Sequence, residues 1–202
     1  MRPFTSLTGV AAPLDLASID TDKIIPARFL RRLRGPGYAD LAFHDIRYDA
    51  DGKERADFVL NQAPYRDAKI LIAGVNFGCG SSREAAVYVM YDYGIRSVIA
   101  PSFGDIHYGN ELQNGMLPVV LPEATVQKLR EQLQAKPGAE ISIDLPAQSV
   151  TGPDGATYRF DIDANHKERL LKGLDDIGLV MQNIDAINAF ENQYHSERPW
   201  LA

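Results

Sequence analysis

The chain has 202 residues, with 27 acidic against 21 basic side chains and a formal net charge of −6. That length suffices for one domain with a sizeable core, and 45% apolar with 24% charged residues is the composition of a soluble globular protein. The acidic balance, with no basic stripe beyond Arg28–Arg34, argues against nucleic acid; Met1–Val10 lacks the apolar centre of a secretory leader, and no apolar run reaches the length of a membrane span. The single cysteine, Cys79, excludes an internal disulfide and fits a reducing cytoplasm. One thiolate is also too few for an iron–sulfur cluster.

In chain order, Phe4–Leu16 suits a first strand and loop, with turn residues at Gly9 and Pro13. Ser18–Ile25 sets Asp20 and Asp22 around Thr21, a pattern that suits Asx-type bonds to the local backbone. Pro26–Leu33 has helical character with Pro26 in the first turn, and Gly35-Pro36-Gly37 breaks it. Arg28, Arg31, Arg32 and Arg34 in this segment make a charge run whose ordinary reading is a solvated face. With no apolar pattern to hold it, Arg28–Gly37 is expected to be poorly ordered, or differently placed, in the isolated subunit. Ala39–Asp49 is ambiguous, Asp51-Gly52 signals a turn, and the apolar centre of Asp57–Asn61 is too short to classify.

Ile70–Val75 reads as a buried strand. Glu84–Tyr93 is predicted as a helix closed by Gly94, and Ser97–Pro101 as the next strand. Strand, helix, strand in that order implies a right-handed crossover and a parallel sheet. Phe103–Gly115 is helical in part, and Pro118–Leu121 reads as a third parallel strand. Glu123–Gln134 spaces Val126, Leu129 and Leu133 on one helix face. Glu140–Leu145 alternates like a half-buried strand. Beyond the turn Gly152-Pro153-Asp154-Gly155, Tyr158–Ile162 is expected to return as its hairpin partner. His166–Lys172 and Ile184–Tyr194 read as helices. His44, His107, His166 and His195 show no metal-binding spacing and read as surface or structural residues; His107 alone follows a strand end, where a site could form.

The chemistry concentrates in Ala73–Glu84, A-G-V-N-F-G-C-G-S-S-R-E. A strand enters a glycine turn, and the turn hands a polar cluster to a helix N-terminus, where unpaired N–H groups favour anions. Arg83 adds a planar charged fork that matches a carboxylate, and Ser81 and Ser82 add hydroxyls. The plain alternative is that Ser82 caps the helix, Arg83 is solvated and the glycines only turn the chain. Three familiar motifs are excluded. A dinucleotide fingerprint would need glycine where Arg83 stands, no P-loop lysine follows, and Gly80-Ser81-Ser82-Arg83 is not a hydrolase elbow.

Asn76–Glu84 resembles the signature turn of the swivel, or small-subunit, domain of the aconitase family, and most closely that of the 3-isopropylmalate dehydratase small subunits. Further marks occur in family order: I-D-T-D-K-I-I-P at 19–26, D-F-V-L-N at 57–61, I-A-P-S-F-G-D-I at 99–106 and G-L-D-D-I-G-L at 173–179. The likeness covers nearly the whole chain. It implies one α/β domain over 1–202, a three-layer swivel domain with a mostly parallel central sheet, in the cytoplasm. It implies a hydro-lyase subunit acting on a small hydroxy-dicarboxylate, active only with a large subunit whose [4Fe–4S] cluster is the Lewis acid. No cofactor is expected on this chain, and neither nucleic acid nor membrane is a partner. Position by position, the resemblance makes Ser81 the base, as an alkoxide, and Ser82 and Arg83 the carboxylate ligands. It puts Asp22 at the edge of the site, Gly78, Cys79 and Gly80 in the turn, and Arg34 in a loop that tunes substrate choice. The chain departs from the family pattern at Gly74-Val75, at Ala85-Ala86 and at Gly35-Pro36-Gly37. These departures leave open a related dehydratase acting on citraconate, maleate or a dimethylmalate, or a binding module that kept the fold without the reaction.

Overall fold

A computed structural model describes residues 1–201. Seven strands are present: β1 (Ser6–Pro13), β2 (Ile70–Ile72), β3 (Ser97–Ala100), β4 (Leu117–Val120), β5 (Glu140–Asp144), β6 (Ser149–Thr151) and β7 (Thr157–Arg159). The helices are α1 (Thr21–Ile24), α2 (His44–Arg47), α3 (Glu84–Tyr93), α4 (Asp105–Gln113), α5 (Glu123–Ala135), α6 (Ala164–Lys172), α7 (Asp176–Met181) and α8 (Ile184–Glu197).

The strands form one mixed sheet in the order β4-β3-β2-β1-β5-β6-β7. From β4 to β1 the pairing is parallel, which is the parallel sheet that the strand–helix–strand order implies. β1 is the seam. Its second half runs parallel to β2, Ala11 opposite Ile70, and its first half runs antiparallel to β5, Ser6 opposite Asp144. Every residue of β2 and β3 is buried, because helices cover both faces of the sheet there, and a strand covered on both faces needs an apolar run rather than alternation. One apolar layer packs Ile24, Phe43, Phe77 and Met90 under α1, α2 and α3. The other packs Ile70, Ile72 and Ile99 against Val126, Leu129 and Leu133 of α5 and Leu170 of α6.

Two sequence expectations are corrected. The strand after the Gly152–Gly155 turn pairs with β6, Thr157 opposite Thr151, and β6 in turn pairs with β5. A three-residue strand with one buried side chain, Val150, carries too little periodicity to be read. The segment Pro26–Leu33 yields only a 3-10 turn at Ala27–Phe29, and in Arg28–Gly37 every residue except the half-buried Phe29 is exposed, so that its contacts are surface ones. Arg28 grips both carboxylate oxygens of Asp45, Arg34 Nε donates to Asp92 at 3.0 Å, and the Arg34 guanidinium lies 4.6 Å over the Tyr88 ring.

Candidate functional site

The turn after β2 is clamped between two other segments. On one side, Gly78 N–H donates to the Ile19 carbonyl at 2.7 Å and Thr21 N–H to the Cys79 carbonyl at 3.0 Å. On the other, Phe77 N–H donates to the Ser102 carbonyl at 3.0 Å and Gly104 N–H to the Phe77 carbonyl at 2.8 Å. Thr21 Oγ1 donates to the Ser81 carbonyl at 2.8 Å. The three motifs at 19–26, 76–84 and 99–106, far apart in sequence, are thus one hydrogen-bonded unit at the ends of the parallel strands. This is the edge of an open α/β sheet where ligands bind.

Gly78 has φ +70°, and a Cβ there would sit 2.2 Å from the His107 ring. Only glycine satisfies both the backbone angle and this approach. The turn opens onto a cavity of about 190 Å³ bounded by Thr21, Ser82, Arg83 and His107, by the backbone of Gly78, Gly80 and Gly104, and by Asp105 and Ile106. Arg83 is the N-cap residue of α3 and makes no side-chain cap, so Ser82 is not the cap and its hydroxyl is left to the cavity. The Arg83 guanidinium pairs with Asp22 while only 15% of its side chain is exposed. That hydrogen bond is the main reason the Asp22 carboxyl is held below the usual carboxylate range. Burial opposes it, and the charge of Arg83 and the Ala27 N–H add to it.

The structure therefore brings Asp22, Ser82 and Arg83 together around the turn Gly78-Cys79-Gly80. Ser81 is exposed and outside the cavity wall. Arg34 lies apart: its partner Asp92 is near the tail of α3, on the order of 13 Å along the axis from Arg83 at the head. Asp20 makes a local backbone bond of the kind expected from the sequence and caps α1, accepting from Lys23 N–H at 2.8 Å. Cys79 is a half-buried free thiol.

Sequence reasoning missed one member and left a second open. Thr21, read only as the spacer between two aspartates, is buried and is a hydrogen-bond anchor of the turn. His107 is buried, and its Nε2 lies 3.0 Å from Oε1 of Glu111, one turn further along α4, with both side chains sealed from solvent. Burial pushes the Glu111 carboxyl up, and the His107 contact opposes that rise. The four-residue spacing of His107 and Glu111 was the available signal. A larger hollow of about 570 Å³, between Leu14, Ile46, Phe58 and Tyr65, shares no residue with this site. Among the described residues no three His, Cys, Asp or Glu side chains gather as a metal site, and no helix is long and apolar enough to cross a membrane.

Comparison with known proteins gives the family. The family model for the aconitase C-terminal domain matches residues 1–124, a model described as LeuD_N matches 127–164, and the model for the C-terminal domain of the 3-isopropylmalate dehydratase small subunit matches 176–202. The chain is 51% identical over 201 residues to the 3-isopropylmalate dehydratase small subunit of Paramagnetospirillum magneticum and 50% identical to that of Dinoroseobacter shibae, covering the whole of each. A crystal structure of 3-isopropylmalate dehydratase from Methanocaldococcus jannaschii superposes with a TM-score of 0.65 at 24% identity, over 92% of this chain and 99% of that one; this shows a shared fold. With half of its residues shared over full length, and the turn, its two clamping segments and the arginine in place, the chain belongs to the 3-isopropylmalate dehydratase small subunits of the aconitase family.

Proposed function

We propose that this chain, assembled with a large subunit in the cytoplasm, forms a hydro-lyase that interconverts 2- and 3-isopropylmalate by dehydration and rehydration, a step of leucine biosynthesis. The observation that carries the proposal is the cavity at the head of α3, where Arg83, Ser82 and Thr21 converge on a glycine turn. Such a cavity suits a carboxylate. The Arg83 fork pairs with both of its oxygens, the hydroxyl of Ser82 supplies a further donor, and Gly78 and Gly80 let the backbone approach. Asp22 holds the guanidinium in place until a substrate carboxylate takes over that contact.

The [4Fe–4S] cluster of such an enzyme does not fit the donors of this chain, which has one cysteine where a cluster needs several thiolates. We assign the cluster to the large subunit. Ser81, exposed at the rim of the turn, is the proton-abstracting base. A serine is a poor base in water, and the large subunit, by covering the rim, would exclude water and strengthen the pull of Arg83 and the head of α3 on an alkoxide.

The test is co-purification with a cluster-bearing large subunit, then assay on 3-isopropylmalate, citraconate, maleate and dimethylmalate. The expected result is a stable complex with its highest kcat/KM on 3-isopropylmalate and no activity of the chain alone. A complex that turns over one of the other acids better would reassign the substrate. A complex inactive on all four would make the chain a binding module.

A further inference from the structure

The C-terminal arm, residues 176–201, is all surface. Neither α7 nor α8 nor the 3-10 turn at Pro199–Leu201 has a buried residue. Yet the sequence of α8 is patterned for burial. Ile184, Ile187, Phe190 and Tyr194 follow one another at three- and four-residue steps and make one stripe along the helix. Phe190 is 65% exposed, and Trp200, just beyond the helix, is 74% exposed. The stripe is already ordered. The Phe190 and Tyr194 rings are 5.8 Å apart, and the Arg198 guanidinium lies 4.5 Å over the Tyr194 ring. A continuous exposed apolar stripe marks a contact surface, and aromatic residues and arginine are the types enriched where protein–protein interfaces bind most strongly.

The root of the arm is fixed. The Met1 ammonium donates to the Gly173 carbonyl at 3.2 Å, Asp175 Oδ1 accepts from Gly178 N–H at 2.7 Å, and Arg169 pairs with Asp176. Asp175 borders a hollow of about 380 Å³ together with Arg34, Tyr88 and Asn114. Asn114 Nδ2 donates to Glu84 Oε1 at 2.9 Å, and Glu84 is the residue after Arg83. The arm therefore springs from the flank of α3, the helix whose head forms the candidate site.

We propose that α8 and Trp200 dock on the large subunit, in an apolar groove with a basic rim. This rests on the reading, given above, of the chain as a subunit that works only when a large subunit covers its site. Three observations choose this occupant over a second copy of the chain. First, the arm carries four acidic side chains, Asp176, Asp185, Glu191 and Glu197, against one basic, Arg198, in a chain of net charge −6. Packing it on a second copy sets like charge against like. Second, residues 176–201 are enough for one side of a standard interface, roughly 20–30 residues. Third, the root lies beside the helix that carries the site, on the flank that a covering subunit has to approach. Docked there, the arm holds the two subunits together away from the reacting atoms, so it governs assembly and not the chemical step.

The experiment uses the full chain and a cluster-bearing large subunit. Trp200 is the one tryptophan, so a chain produced with fluorotryptophan gives a single fluorine resonance that reports the arm. Adding the large subunit is expected to move that resonance, and an unmoved resonance in a formed complex overturns the proposal. Dissociation constants are then measured for the native chain, for Phe190→Ala with Tyr194→Ala, and for Asn188→Ala with Asn192→Ala on the polar face of α8. The aromatic pair is expected to weaken binding by about tenfold or more, and the asparagine pair by less than about twofold. None of these side chains is buried, so the unfolding temperature of each isolated variant should match the native one. At saturating large subunit the aromatic variant is expected to regain the native kcat. Equal dissociation constants in all three proteins, or a kcat that stays low at saturation, overturn the proposal. So does a native chain that sediments as a dimer and becomes monomeric with the aromatic substitutions, which assigns the arm to a second copy. A complex that forms through the arm yet turns over none of the four acids refutes the proposed reaction and leaves the docking standing.

Discussion

Ser81 and Arg83, two residues apart, have separable duties under the proposed mechanism. Ser81 acts on the proton in flight, so Ser81→Ala is expected to lower kcat strongly with little change in KM. Arg83 holds a carboxylate in ground and transition states alike. Arg83→Lys keeps the charge and loses the fork, so KM should rise, with some fall in kcat from misplacement. Steady-state kinetics with cluster occupancy checked in each variant would decide; near-native kcat in Ser81→Ala removes serine as the base. Gly78→Ala tests the turn itself. Alanine at φ +70° costs roughly 1–2 kcal/mol, and a Cβ driven into the His107 ring adds roughly 1–3 kcal/mol of overpacking. Chemical denaturation should show a loss of that combined size, and a loss under about 1 kcal/mol would mean the ring moves freely. Acid exposes another residue-level dependence. Asp45 is held down to about 2 from 3.8, chiefly by its hydrogen bond from Arg28, and Asp22 is lowered by Arg83. A carboxyl with a depressed folded value stabilises the fold above pH 3.8 and loses that contribution as pH falls through the folded value. Asp45→Asn should therefore flatten part of the decline in Tm between pH 4 and pH 2, and an identical decline in both proteins would show that the pair is inert. The effect should be small, because both side chains are about half exposed.

At the scale of elements, α3 is the axis of the site. Its buried face, Ala86, Val87, Val89 and Met90, fixes the helix on the sheet, and its head is thereby fixed beside the turn. Gly94 ends it in the left-handed region, with its N–H bonded to the carbonyls of Met90 and Tyr91. The arginine segment reaches the same helix at its other end, through Arg34 to Asp92 and Tyr88. In this structure the loop is stowed along α3, away from the cavity. The last two helices differ in kind. Neither α7 nor α8 has a buried residue, and Ile177, Val180, Phe190 and Trp200 are exposed. A chain ending after Asn183 should keep the Tm of the full chain to within a few degrees, since little apolar area leaves the core. A large fall in Tm would show that α8 supports the body.

For the molecule as a whole, the long, strongly patterned segments were legible in the sequence. Ile70–Ile72, Glu84–Tyr93 closed by Gly94, and the Val126–Leu129–Leu133 face of α5 follow from burial and periodicity, which are local properties. The resemblance in Asn76–Glu84 likewise pointed to the family before any fold was known. What sequence alone could not decide is non-local. β6 has three residues and is a strand only because β5 and β7 flank it. Thr21 and Ser81 are 60 positions apart and meet only when the parallel strands bring their loops to one edge. Arg34 is a site-loop arginine by position, yet in the fold it answers Asp92, because an arginine's partner is the nearest carboxylate in space. His107 shows the division best. Its sequence context carries no metal spacing and no partner beyond Glu111, whereas packing against Gly78 buries this helix pair at the wall of the cavity. Local pattern fixes which segments are helix or strand; the desolvation and contact that give a polar residue its chemistry exist only once distant segments pack together.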